Sequence, residues 1–446
     1  MATTYLNKTL SGSPTNNLKW TWSAWVKKTK NGIIQPLFYA DNGGSANFTK
    51  IQFHDTDSVL AQNYVGSSTY GYKITTPVYR DTNAFYHLVM RYDSANATEN
   101  QRFIIWVNGV DSGTLAMDSN TFPDQNRASI INAGNEHRIG RGNNNVGSNY
   151  FDGIMSHVHF CDGYAYSASD FGSTDTTTGQ WKINTSPSVS YGTNGFFILK
   201  DGNSVTDQSG NSNNFTVGGG TLTNTEDCPS NVFANLNPLI PNGDSYSNGN
   251  LTHTTSSNDY RSAYSTIGVS SGKYYAECKM TNVTGGNGFG IANQESGVGL
   301  LKSSSNKYLG QDSNEVAYFH GGALYQNGSS VATYGSISAN DIIGIALDVD
   351  NGYVYFSKNG TWQNSGVPTS GSSGTGGYAL SNIGSNGTYF IGTSQAQPSV
   401  SQLNFGNGFF GTNAISSEGT NASGNGKFEY DVPTGYTALS TKGLNE

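Results

Sequence analysis

The feature that most constrains the fold is an Asn-Gly pair that twice follows a run of aromatic and β-branched residues, at 103–109 (FIIWVNG) and at 354–360 (VYFSKNG). Both central residues of a type I′ turn need positive φ, which Asn and Gly tolerate best, so each run predicts a tight β-hairpin. The second run follows 343–352, which also ends in Asn-Gly. These similar settings predict two related antiparallel β-sandwiches in tandem.

The composition agrees with an extensive β protein. The 446 residues exceed what one hydrophobic core usually holds, so we expect two domains. Charged residues make up 12% of the chain, while 27 Tyr and 21 Phe are too many for a disordered one. No apolar stretch is long enough for a transmembrane helix, which predicts no membrane insertion.

The charge and the cysteine content limit which binding partners and which cellular compartment we expect for the protein. The net charge is −8 and the longest basic cluster is 27–30, so no nucleic-acid-binding face is expected. The first five residues lack the charged and apolar regions of a secretory signal. Cys161, Cys228 and Cys278 have no ligand spacing and indicate free thiols in a reducing cytoplasm. A Cys161–Cys228 disulfide is the alternative.

The first half of the chain has the short, regularly spaced strands of a sandwich. In 18–26, Trp20, Trp22 and Ala24 alternate onto one face and Trp25 onto the other. In 151–160, the same period places Ile154, Ser156, Val158 and Phe160 on one face, opposite Met155, His157 and His159. Further strands are predicted at 33–40, 49–54, 71–75, 84–92, 102–107 and 137–140. Ser167 or Ser169 is expected to cap a single helical turn within 164–172.

Five motifs then occur in order: 22–27 (WSAWVK), 85–93, 104–109, 138–141 and 151–154 (FDGI). Together they resemble a laminin-G or concanavalin-A-like jelly roll, which we assign to residues 1–220. The Asp-x-Ser-Gly-Asn segment at 207–211 opens many such domains but comes late here. We interpret this as a permuted domain completed by 195–217, with a bridging subdomain as the alternative.

The second half begins after 221–241, which Pro229, Pro238 and Pro241 mark as a stiff linker. Residues 270–279, 288–292, 341–362 and 403–406 closely resemble a SPRY domain, which is also a two-sheet sandwich and would span 242–446. The tail at 428–439 is predicted to return and pack on it. The fold class is therefore all-β, with two tandem antiparallel jelly-roll/concanavalin-A-like β-sandwiches.

Catalytic chemistry is not visible in the sequence. Glycoside hydrolysis needs two close carboxylates, but Asp348 and Asp350 precede an Asn-Gly turn and are better explained as turn residues. Glu277 has no acidic neighbour, and His157 and His159 lack a third metal ligand. We therefore predict no enzyme activity, no catalytic residue and no metal site. Calcium is the alternative cofactor, through the loop acids Asp41, Asp93, Asp111 and Asp152.

Recognition is the remaining function, because aromatic side chains in polar segments of lectin-like folds stack on sugars. The candidate ligand-binding residues are Tyr64, Tyr70, Tyr72, Trp181, Tyr308, Tyr325 and Trp362.

The two domains together, with 162–172 and the Val-Pro-Thr-Gly-Tyr tail at 432–436, resemble structural proteins of marine tailed bacteriophages. That resemblance implies a tail fibre, head fibre or capsid decoration that is assembled in the host cytoplasm and exposed on the virion. Its expected partners are other virion proteins and host surface glycans, in a homo-oligomer. The alternatives are an exported bacterial carbohydrate-binding or glycan-cleaving protein and an intracellular SPRY adaptor.

Overall fold

The computed structural model describes residues 3–142, 149–200, 204–240, 243–283, 285–295, 307–384 and 387–445. The chain divides into two units, Met1–Asn224 and Thr225–Glu446. Nearly all regular structure in the described residues is antiparallel strand, so the predicted all-β class is confirmed. No described helix has the length and apolar character that crossing a membrane requires.

The first unit is built from short strands and a single helical turn, α1 (Ala168–Phe171). Its strands are β1 (Tyr5–Thr9), β2 (Lys19–Lys28), β3 (Gln35–Asp41), β4 (Phe48–Phe53), β5 (Val59–Val65), β6 (Ser68–Thr75), β7 (Tyr86–Asp93), β8 (Phe103–Val107), β9 (Val110–Asp111), β10 (Met117–Thr121), β11 (Glu136–Ile139), β12 (Gly153–Asp162), β13 (Gly172–Thr174), β14 (Trp181–Ile183), β15 (Phe196–Ile198) and β16 (Thr216–Gly219). A 3₁₀ turn spans Glu99–Gln101.

Two sheets of this unit enclose its core. Sheet A runs β10-β6-β5-β4-β3-β11-β1-β16, and sheet B runs β15-β12-β2-β7-β8-β9. Trp20, Trp22 and Ala24 of β2 point into the core, as their alternation predicts, while Trp25 faces away and stacks on His87. Burial of these large rings stabilises the sandwich, because an aromatic side chain removes a large apolar surface from water.

The regular alternation predicted for 151–160 is wrong in its first half. The register of β12 shifts between Ser156 and His159, and His157 has a φ of +51°. This bulge adds a residue, so that Met155 rather than Ile154 packs against the core together with Val158.

The last two strands of the first unit, β15 and β16, are part of its two sheets. β15 pairs with β12 in sheet B, and β16 pairs with β1 in sheet A. The carboxylate of Asp207 holds the connection between them, since it accepts hydrogen bonds from the N–H groups of Phe197, Ser209 and Asn213 and from the Ser209 hydroxyl.

The outer face of sheet B is covered by 164–191. Ser167 forms a capping box with Asp170 at the start of α1, which confirms the predicted helical turn. Beneath it, Phe171 and Ala168 pack on Trp106 and Val89 of sheet B.

The second unit is likewise built from short strands. They are β17 (Ser245–Ser247), β18 (Thr252–Thr255), β19 (Arg261–Tyr264), β20 (Lys273–Asn282), β21 (Gly288–Asn293), β22 (Glu315–Phe319), β23 (Ala323–Gln326), β24 (Ser329–Thr333), β25 (Ile342–Asp348), β26 (Tyr353–Lys358), β27 (Thr361–Trp362), β28 (Tyr378–Ala379), β29 (Tyr389–Gln395), β30 (Ser399–Asn404), β31 (Phe409–Phe410), β32 (Asn413–Ala414) and β33 (Thr437–Ala438). Short 3₁₀ turns span Gln363–Ser365, Pro368–Ser373, Leu380–Ile383 and Gly443–Asn445.

Sheet C of this unit runs β17-β18-β30-β20-β25-β26-β27, with β28 on β26 and β33 parallel to β20. Sheet D runs β19-β29-β21-β22-β23-β24. The core between them contains Phe289, Ile345 and Phe356. Both sheet pairs therefore form sandwiches.

The hairpins predicted from the Asn-Gly pairs are confirmed. Residues 108 and 109 connect β8 to β9, and Asn108 and Gly109 have φ values of +49° and +81°. Asn359 and Gly360 connect β26 to β27 with φ values of +48° and +77°.

Most of the segment predicted as a linker, 221–241, is part of the second unit instead. The boundary between the units falls at Asn224, and the residues after it belong to the second unit. Phe233 and Leu236 are buried there because they pack against the sandwich. Pro241 lies outside the described residues.

The C-terminal tail covers sheet C. Phe428, Val432 and Tyr436 are buried against Tyr275 and Tyr355 of that sheet, which confirms the predicted return of 428–439. The cysteines are free thiols, so the alternative Cys161–Cys228 disulfide is absent.

Candidate recognition surface

Three neighbouring strands of sheet A place polar and aromatic side chains side by side on its outer face. Lys50 of β4 pairs with Gln62 of β5, which pairs with Tyr72 of β6. In the next row, Phe48 pairs with Tyr64. We call these five residues the β4–β6 patch. Alternation explains the arrangement, because Ile51 and Ala61 point from the same strands into the core.

The rings of this face form a stacked row. The ring centroids of Tyr39 and Phe48 lie 5.8 Å apart and those of Phe48 and Tyr64 lie 4.9 Å apart, with interplanar angles of 19° and 22°. Tyr64 ends the row, since no other described ring stacks on its far side. That face is suited to stacking on the apolar face of a sugar.

The patch also holds a cation. The Nζ atom of Lys50 lies 5.5 Å from the centroid of the Phe48 ring, and burial lowers the pKa of Lys50. Nearby on the same sheet, Arg138 has carboxylate partners, with 2.6 Å to Asp41 and a further contact to Glu136.

The other three outer sheet faces are covered by apolar clusters of the chain itself. Residues 164–191 cover sheet B, the C-terminal tail covers sheet C, and a cluster around Leu309 and Tyr264 covers sheet D. The β4–β6 patch belongs to none of the apolar clusters in the described residues. Its side chains remain half-buried rather than packed beneath another segment.

The structure brings together two of the predicted ligand residues of the first unit, Tyr64 and Tyr72, and separates the others from them. Tyr70 precedes a bulge at Gly71, whose φ is +113°, and stacks on the guanidinium of Arg127 at 3.8 Å. Trp181 packs on the hairpin of sheet B, where a Cβ atom at Gly109 would lie 2.5 Å from its ring.

Trp181 also contacts a buried Ser-His pair and determines which nitrogen of the histidine carries the proton. His87 Nε2 lies 2.9 Å from Ser23 Oγ, and Trp181 Nε1 donates to His87 Nδ1 at 2.9 Å. Since an indole nitrogen is only a donor, Nε2 carries the proton of the neutral imidazole and donates to the serine. Burial lowers the pKa of His87 to about 3. This histidine is therefore not arranged to take a proton from Ser23.

The predicted residues of the second unit lie in two places. Tyr308 and Tyr325 are 5.7 Å apart in an edge-to-face contact, within the cluster that covers sheet D. Trp362 lies elsewhere, with its ring centroid 6.4 Å from that of Tyr275 beside the tail cluster. All three are partly buried by packing.

The acids considered for calcium or catalysis are engaged separately. Asp41 binds Arg138, Asp93 binds Lys19, Asp152 binds Lys30, and Asp111 accepts hydrogen bonds from the N–H groups of Gly113 and Thr114. The described residues contain no group of three metal-ligating side chains.

Asp348 acts as a turn residue, whereas Asp350 contacts a neighbouring loop rather than its own turn. Asp348 accepts hydrogen bonds from the main chain and side chain of Asn351, and Asp350 accepts one from the N–H of Gly272. Glu277 is fully buried.

A cavity of about 500 Å³ lies in the second unit at the end of the β25–β26 hairpin. Its lining includes Ser270, Asn351, Tyr353, Thr388 and Tyr389, and no charged side chain among the described residues. None of the predicted ligand residues lines it.

Comparison with known proteins agrees with both sandwiches. Residues 3–171 match the concanavalin A-like lectin/glucanases superfamily, and residues 248–408 match the SPRY domain. The chain contains a concanavalin A-like domain and a SPRY domain. Domains of these two kinds are typically binding or interaction modules. No curated protein matches the chain.

Several solved structures are similar to parts of the chain. The SPRY domain of human HERC1 is 17% identical, with a TM-score of 0.30, over 38% of this chain and 96% of that one. The TRIM65 PSpry domain is 10% identical, with a TM-score of 0.29, over 38% and 88%. The heptameric SAP-like pentraxin from Limulus polyphemus is 14% identical, with a TM-score of 0.28, over 37% and 71%.

Sequence reasoning missed Phe48, Lys50 and Gln62. The signal for Lys50 was present, since Lys50 and Gln52 alternate with Ile51 and Phe53 in the strand predicted at 49–54, whereas Phe48 precedes that predicted strand. Gln62 lies on β5, which was not predicted.

Proposed function

We propose that the protein is a recognition protein without enzyme activity that binds cell-surface glycans through the β4–β6 patch of its concanavalin A-like domain. The observation that carries this proposal is the row of stacked rings ending at Tyr64, beside the amide of Gln62 and the hydroxyl of Tyr72. An apolar ring face flanked by hydrogen-bonding groups suits a sugar, whose ring has an apolar face and a polar rim.

The proposed setting is the surface of a tailed bacteriophage, where the protein is a tail fibre, head fibre or capsid decoration assembled in the host cytoplasm. Its support is the sequence resemblance at 162–172 and 432–436. In this setting the SPRY domain contacts other virion proteins in a homo-oligomer, and glycan binding needs no cofactor.

The test is a glycan array probed with the purified full chain and with Tyr64→Ala. We expect the wild type to bind a defined set of glycans and Tyr64→Ala to lose them. Tyr308→Ala is the matched control, because it removes a half-buried tyrosine from the other unit. Absence of binding by the wild type, or equal loss in both variants, would contradict the proposal.

The virion setting is tested separately by mass spectrometry of purified tailed-phage particles from the source of the gene. Peptides of the chain are expected in intact particles. Their absence would refute the setting and leave glycan binding to be decided by the array.

A further inference from the structure

We propose that the ligand of the β4–β6 patch is an acidic glycan, whose carboxylate or sulfate pairs with Lys50 while its sugar ring stacks on Tyr64. This inference rests on the proposed glycan-binding function and names the chemical class of its ligand.

Lys50 is the one cation of the β4–β6 patch. Its side chain is half-buried on the outer face of sheet A, and no described carboxylate lies within ion-pair distance of its Nζ atom. The Phe48 ring offers only a weak cation–π contact. Partial burial of an ammonium group without a counter-ion is unfavourable, and an anion from outside the chain would offset that cost.

Two buried cations of the same unit, Lys28 and Arg138, have described carboxylate partners, unlike Lys50. Lys28 Nζ lies 2.7 Å from Asp57, and Arg138 lies 2.6 Å from Asp41. The carboxylate of Asp57 comes from the loop between β4 and β5, and that of Asp41 comes from β3, the strand next to that of Arg138. Lys50 has Gln62 as its neighbour across the strand pair instead, so its charge remains available.

The polar groups of the β4–β6 patch lie within reach of one short saccharide. Lys50, Gln62 and Tyr72 occupy adjacent strands in register, which places the first and the last about 10 Å apart. A short saccharide that stacks on Tyr64 can therefore reach both the ammonium group and the two neutral polar groups. The net charge of −8 disfavours non-specific attraction to acidic polymers, so such binding would depend on the local cation.

The experiment uses the full chain on an array that carries neutral, carboxylated and sulfated oligosaccharides, followed by calorimetry with oligogalacturonate and its neutral methyl ester. We expect the bound set to contain only acidic glycans. A charge-assisted contact predicts about tenfold tighter binding of an acidic glycan than of its neutral form, and this preference should fall as salt rises.

Lys50→Gln should remove the acidic preference, and Lys50→Arg should retain it. Each variant is first checked for a melting temperature that is not lowered, which we expect because Lys50 lies on the outer face of the sheet and its partial burial is unfavourable. The carboxylated and sulfated arms show which anion is used.

Binding confined to neutral glycans would overturn the inference and leave the proposed function standing, as would acidic binding that Lys50→Gln does not weaken. Binding to no glycan at all would overturn both.

Discussion

Asn359 and Ile342 form a reciprocal hydrogen-bonded pair. The N–H of Asn359 donates to the carbonyl of Ile342 at 2.8 Å, and the N–H of Ile342 donates to Asn359 Oδ1 at 2.9 Å. Asn108 and His87 repeat the arrangement in the other unit, at 2.9 and 2.8 Å. In each case, the N–H of a residue in the neighbouring strand would lose its acceptor where the hairpin turns away. The side-chain oxygen of the asparagine accepts that hydrogen bond instead.

This pair predicts a stability difference between two Asn-Gly turns of the SPRY unit. Asn327 precedes Gly328 with a φ of +51°, close to the +48° of Asn359, but its side chain has no described hydrogen-bond partner. Asn359→Ala should therefore cost about 1–2 kcal/mol more than Asn327→Ala, because only the former orphans a strand N–H and removes the hydrogen bond from Asn359 Nδ2 to Asp341. Urea unfolding of the two variants measures the difference, and equal losses would contradict a role for the side-chain acceptor.

A second prediction concerns Asp207, whose carboxylate accepts four hydrogen bonds next to β15. Asp207→Ala should lower the free energy of unfolding by about 3 kcal/mol, since the buried N–H of Phe197 and the partly buried N–H groups of Ser209 and Asn213 lose their acceptor. Hydrogen exchange at Phe196–Ile198 should accelerate.

The matched control is Asp175→Ala. Its carboxylate also accepts hydrogen bonds from Thr177 and Thr178 and contacts Lys182, but on an exposed loop. We expect a smaller loss there, because water replaces the lost partner. Comparable effects of the two substitutions would show that burial does not set the contribution of Asp207.

A third prediction is a pH dependence from Glu277. Burial raises its pKa to about 7 from 4.5, although the N–H groups of Glu429 and Tyr430 in the tail donate to its carboxylate. The folded state therefore holds the proton more tightly than the unfolded state. This stabilising contribution is present below about pH 4.5 and is lost as pH rises through about 7.

Glu277→Gln should flatten the pH dependence of the unfolding free energy over that interval by on the order of 3 kcal/mol. Denaturant unfolding at several pH values measures it. A wild-type slope in Glu277→Gln would assign the dependence to other groups.

A fourth prediction follows from the Trp181–His87 contact. His87 should remain neutral with its proton on Nε2 between pH 5 and 8, because burial lowers its pKa to about 3. Nitrogen NMR of the imidazole distinguishes the two tautomers. Trp181→Phe removes the donor to Nδ1 and should allow the other tautomer, while an Nδ1–H signal in the wild type would refute the assignment.

Local patterns predicted much of the fold. The alternation of Trp20 and Trp22 against Trp25 gave the core face of β2, and the Asn-Gly pairs gave the two hairpins, because these signals depend on a few adjacent residues. The bulge at His157 could not be predicted in this way. It inserts one residue into an otherwise regular period, which the sequence alone does not mark.

The candidate site was predicted only in part. Tyr64 and Tyr72 were recognised as aromatic residues in polar segments, but their position beside Lys50 depends on the pairing of three strands. Trp181 had the same sequence signal and proved to pack on Gly109 and His87. Exposure and packing of an aromatic ring depend on contacts between residues distant in sequence, which local composition does not encode.

The position of β1 in sheet A has a consequence for how the protein is made. β1 lies between β11 and β16, so both neighbours of the first strand, Tyr5–Thr9, come from Glu136–Ile139 and Thr216–Gly219. A nascent chain cannot complete this sheet until residue 219 has been synthesised. Before that point the first strand can pair only with β11, and the first sandwich closes late, through long-range contacts that make folding slow.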